Sequence, residues 1–234
     1  MGEYVQPQVD TSIKSGSFAF FLAIPCTFGL GSAAVTAFLP DLLKQNFNHE
    51  RLILAAYAFI VAIVIFSSRR LTTLRTFLHE LKHAIVVLLS GNRVRDLKVH
   101  SRQGHVSYLM YSDRTRFAPF IMLAPYFFPL LSFPVLGFAL VSDNDPQHLV
   151  ACVLAGLLAA DLTCAYKDYH PAQSDLQRIS GGWIPVLVFI LSVNFMWSSF
   201  CVLWLLLGRS GFIFAGQILV DQAELFLKYA QGLL

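Results

Sequence analysis

Two histidines and a glutamate in His79-Glu80-Leu81-Lys82-His83 have the spacing to hold a divalent metal and to work on a water beside it. On a helix, residues four apart share a face, so His79 and His83 project the same way. Two imidazoles so placed grip one zinc ion, which takes a third protein ligand and keeps a fourth position for water when the site is catalytic. Glu80 projects about 100° round the helix, where it can take a proton from that water. The setting is unusual, because ionisable groups in an apolar helix are costly. The plain alternative is an interfacial helix end with a solvated charged face.

The third ligand has few candidates. Asp175 lies in the polar break over residues 167–182, after Pro171-Ala172-Gln173-Ser174. Asp161 sits inside an apolar run, and Asp168 and His170 lie nearby. Each has an ordinary role to set beside ligation. Asp175 would suit a helix N-cap. Asp161 would suit a buried carboxylate bonded to a neighbouring helix, and Asp168 and His170 an exposed loop. Residue type alone leaves the choice open.

The elements that must position these groups are apolar. Of 234 residues 56% are hydrophobic and 13% charged, with a mean hydropathy of +0.61. Soluble domains carry about 25% charged residues. The expected fold is an all-α polytopic membrane protein of five or six transmembrane helices, forming a single membrane-embedded domain over residues 1–234, with membrane lipid around it. A net charge of +3 is too small to argue for nucleic acid. Cys26, Cys152, Cys164 and Cys201 all lie in apolar segments without a Cys-x-x-Cys pair, which predicts free thiols. The polar N-terminus makes a poor signal peptide, so the first apolar run is expected to be retained.

Apolar runs cover residues 17–39, 52–66, 71–90, 117–141, 148–166 and 183–207. Glycines and small residues in the first suit close helix packing. Gly91-Asn92 is a good stop for the helix bearing the histidines. Residues 93–111 then alternate apolar and polar, which predicts a β-hairpin whose edge cannot face lipid. The 117–141 run holds Pro119, Pro125, Pro129 and Pro134, so it should be kinked, and the carbonyls its prolines free need partners inside the bundle. Residues 211–234 read as an amphipathic helix along the interface. The basic 91–116 loop falls on the cytoplasmic side by the positive-inside rule, and the 141–148 loop outside. Arg69, Arg70 and Arg75 then conflict with a fully crossing 71–90 helix.

His79-Glu80-Leu81-Lys82-His83 on an apolar helix, then Gly91-Asn92-Arg93-Val94, a hairpin, and a span containing Ala124-Pro125 resemble the site-2 protease family of intramembrane zinc metalloproteases, in a compact bacterial-type form without a PDZ insert. The resemblance covers residues 71–197. It implies Zn2+ as cofactor, His79 and His83 as metal ligands, Glu80 as the catalytic base, and Asp175 as the third ligand, although Leu176 stands where the family has glycine. It divides the chain into N-terminal helices (1–70), a metalloprotease-like core (71–207) and the amphipathic C-terminal helix (211–234). It implies a zinc metalloendopeptidase that hydrolyses membrane-protein or peptide substrates, in an integral membrane protein of the bacterial cytoplasmic (inner) membrane. Two other readings compete. One is a non-catalytic membrane scaffold with a degenerate zinc site. The other is a proton or ion transporter using Asp161, His79 and His83 as a relay.

Overall fold

The computed structural model describes residues 23–36, 49–100, 104–141, 148–170, 173–177, 179 and 183–210, with scattered positions between 213 and 228. Most of the expected C-terminal amphipathic helix, and both ends of the expected first span, lie outside the described residues. The helices are α1 (Ala23–Thr36), α2 (His49–Ser67), α3 (Thr72–Leu89), α4 (Ala118–Phe127), α5 (Ser132–Val141), α6 (His148–Asp168), the single turn α7 (Ser174–Gln177) and α8 (Trp183–Leu207). Strands β1 (Arg93–Val99) and β2 (Gly104–Leu109) form the expected antiparallel hairpin after α3.

Three of these helices, α2, α6 and α8, are long and apolar enough to cross a bilayer. The pair α4 and α5 makes a fourth candidate, bent by 86° at its break, which gives a polytopic all-α membrane fold. The sequence leads one to expect five or six spans. The difference among the described residues has two sources: α1 is described over only part of its run, and α3 carries the ionisable cluster that lowers its hydropathy.

Small residues let these helices meet closely. Ala55 on α2 is buried with Ala151, Leu154 and Ala155 of α6. A Cβ on Gly156 would reach ordinary contact with the Ala58 carbonyl, at 3.8 Å. Gly31 of α1 lies so near Phe195 and Met196 of α8 that a Cβ there would collide with the Phe195 ring. On its other side α2 exposes Ile53, Tyr57, Ile60 and Val64, the face expected of a lipid-bathed helix.

The end of α3 is a Schellman motif. Gly91 has φ +73°, its N–H bonds to Leu88 O, and Asn92 N–H bonds to Val87 O. The buried Asn92 side chain accepts from Tyr111 N–H and donates to Ser90 Oγ, tying the end of the hairpin to the end of the helix. The ladder is irregular between Val94 and Asp96. One extra residue there lets Val94 and Leu97, three apart, share the less exposed side of β1.

Candidate metal centre

His79 and His83 lie in the middle of α3, one turn apart, and their rings meet edge to face at 5.1 Å. Asp175 arrives from α7. That single turn is anchored by its neighbours: Leu176 and Ile179 are buried among Met122, Leu123, Tyr126, Val186 and Phe189. Leu176, the departure from the family's glycine, therefore has a packing role that holds Asp175 in place.

Asp175 Oδ2 is 3.8 Å from His79 Nε2 and 3.5 Å from His83 Nε2. The ligand atoms of all three residues lie within 4.8 Å of one another. Ligands about 2.0–2.1 Å from a tetrahedral zinc are roughly 3.4 Å apart, so the donor set fits zinc with small inward shifts.

The far side of each ring is also occupied. His79 Nδ1 is 3.0 Å from Asp168 Oδ2, in the last turn of α6. His83 Nδ1 is 2.7 Å from the Ile121 carbonyl on α4. A carbonyl oxygen has no proton to give, so His83 Nδ1 donates; an ionised Asp168 imposes the same role on His79. Both Nε2 lone pairs are then left for a metal, with the outer partners fixing tautomer and ring plane. Before a metal binds, burial works against the charge on Asp175, but the His79 and His83 rings, protonated at the nitrogens facing it, outweigh burial and hold its carboxyl well below the usual carboxylate range; a metal would take the place of those protons. The group that would ligate is thus kept ionised.

Glu80 is buried and lies against the first residue of β2, where a Cβ on Gly104 would overlap its carboxylate. The hairpin therefore closes over the α3 face that carries Glu80.

The other candidates fall elsewhere. Asp161 is not part of the cluster. It is buried, 3.2 Å from Lys82 Nζ, and accepts from Leu131 N–H, Ser132 N–H and Ser132 Oγ at the start of α5. Trp197 of α8 donates to the same Ser132 hydroxyl. Asp161 is thus the carboxylate bonded to neighbouring elements, holding the bent α4–α5 junction to α3 and α8. His170 is exposed in the loop after α6. The residue pattern gave no hint that Asp168 would back His79. Lys82, an awkward cation in the sequence, is explained by Asp161. Arg75 is explained too, since it caps α2 by donating to the Phe66 and Ser68 carbonyls.

No curated protein and no solved structure matches the chain. One family model does, described as Peptidase M50B-like, over residues 52–172. That is just over half of the chain, taking in α2, α3 with its His-Glu-x-x-His segment, the hairpin, α4, α5 and α6, and ending just short of Asp175. The chain belongs to this family, and with it to the site-2 protease group of membrane metallopeptidases.

Proposed function

We propose that the protein is a zinc-dependent intramembrane endopeptidase, with His79, His83 and Asp175 as metal ligands and Glu80 as general base. The observation that carries this reading is the convergence of His79 Nε2, His83 Nε2 and Asp175 Oδ2, while both Nδ1 atoms are committed to outer partners. Three protein ligands leave an open position, the pattern of a catalytic rather than a structural site. When bound, zinc supplies Lewis acidity that acidifies water and polarises a carbonyl. Glu80 then accepts the water proton and returns it to the leaving amine, a role that contributes typically 10²–10⁴-fold. The buried setting excludes bulk water around Glu80.

The substrate in this reading is an extended segment of a membrane-associated protein or peptide. It pairs with an edge of the hairpin, which brings its backbone past Glu80 beside Gly104. The test is metal analysis with cleavage of an unfolded, dye-labelled protein in detergent. The purified chain should carry about one zinc, as expected for a three-ligand site. His79→Ala and His83→Ala should lose it. Glu80→Gln should keep the metal and lose cleavage. A chain that holds no zinc when purified without chelators, or a Glu80→Gln variant with full activity, would defeat the reading.

A further inference from the structure

In an α-helix the N–H of each residue donates to the carbonyl four positions earlier. Position 125 of α4 is a proline inside the helix, so it has no proton to offer Ile121. Ile121 is 1% exposed, so water is no substitute. Its carbonyl instead accepts from His83 Nδ1 at 2.7 Å. A second carbonyl lies one turn on: α4 ends at Phe127 and Phe128 is extended, so the Pro125 carbonyl has no helical donor, and Lys82 Nζ approaches that oxygen at 3.5 Å. One proline and the helix end thus hand two carbonyls of α4 to two consecutive residues of α3.

We propose that Pro125 is a positioning residue of the metal centre. By withholding an N–H it reserves the Ile121 carbonyl for His83, which sets the His83 tautomer and turns Nε2 toward Asp175. This inference rests on the metallopeptidase reading. Alanine at 125 would supply a helical N–H aimed at Ile121 O. His83 would then compete for its own partner, and its proton would be free to move to Nε2, the atom a metal needs.

The test separates the missing N–H from the proline ring. Zinc affinity of the detergent-purified full chain is measured by competition with a chromophoric chelator. Three forms are compared: the unaltered chain, Pro125→Ala, and a chain with lactic acid at 125. Lactic acid has alanine's methyl group but an ester oxygen in place of the N–H. Pro125→Ala should bind zinc about 10–100-fold more weakly, the usual loss when an outer partner of a ligating histidine is removed. The lactic acid form should bind as the unaltered chain does. Equal affinity in Pro125→Ala overturns the proposal. So does an equal loss in the alanine and lactic acid forms, which would put the effect in the ring and the kink. A second measurement needs no variant at position 125: nitrogen-15 spectra of the metal-free chain at a pH where His83 is neutral, with His83 assigned through His83→Gln, should show its one proton on Nδ1. That proton on Nε2 instead overturns the proposal. If the unaltered chain binds no zinc, or binds it equally after His79→Ala, the metallopeptidase reading fails first, and the outcomes at position 125 do not enter.

Discussion

Asp168 stands in the sequence only as one more candidate ligand, yet it faces the His79 nitrogen not turned toward Asp175. Carboxylate partners of ligating histidines raise ligand basicity and fix ring orientation, and their loss costs about 10–100-fold in metal affinity. Asp168→Ala should weaken zinc binding by that amount. Asp168→Asn keeps an acceptor without the charge, so it should lose less. Chelator competition on purified protein checks both, and an Asp168→Ala variant with unaltered affinity would remove Asp168 from the centre. The sequence made His79, Glu80 and His83 legible because helical spacing alone places them. Asp175 was legible only through a family resemblance, because what brings it back to α3 is the burial of Leu176 and Ile179 in a distant core. Asp168 was legible as a candidate ligand but not as the partner behind His79, since nothing in a helix-terminal Lys-Asp pair tells which neighbouring ring it will meet.

Among the elements, the hairpin and the broken helix are the parts on which the site leans. Both were readable: the hairpin from alternation, the break from its prolines and their need for partners. What the prolines' carbonyls would hold was not readable, because it depends on the register of α3 against α4. At Gly104 the contact with Glu80 leaves no room for a side chain. Gly104→Val should therefore displace the base or lift the hairpin. Cleavage should fall within the 10²–10⁴-fold range of a mispositioned general base, while zinc content stays at that of the unaltered chain. Normal cleavage in Gly104→Val would show that the hairpin does not seat Glu80. At the α4–α5 junction, Asp161→Asn leaves Lys82 buried without its counter-charge. Breaking a buried pair from one side costs about 3–5 kcal/mol. The variant should unfold earlier in a denaturant titration, yet the folded fraction should retain its zinc, since Asp161 stands apart from the metal cluster. Loss of zinc from protein that is still folded would put Asp161 back among the ligands.

At the scale of the whole molecule, the length and apolarity of the helices decide how the chain threads the membrane. The conflict in the loop charges disappears if α3 is embedded without crossing. Its histidines, Glu80 and Lys82 keep it off the set of helices apolar enough to span, and its end turns straight into the hairpin packed on its own Glu80 face. With α3 embedded but not crossing, the Arg69–Leu71 turn before it and the hairpin after it fall on one side of the bilayer. Arg69, Arg70, Arg93, Arg95 and Lys98 would then share one side, which the positive-inside rule places in the cytoplasm. If the bent α4–α5 pair is one span, it and α6 carry the chain across and back, which fits the return of Asp168 and Asp175 to His79. Single cysteines test this in a chain whose four native cysteines, all free, are replaced. Arg70→Cys and Lys98→Cys occupy exposed positions. Both should react with a membrane-impermeant thiol reagent only in inverted vesicles, and Asp145→Cys only in right-side-out ones. Labelling of Arg70→Cys and Lys98→Cys from opposite faces would make α3 a crossing helix, and the basic turn before it an exception to the charge rule.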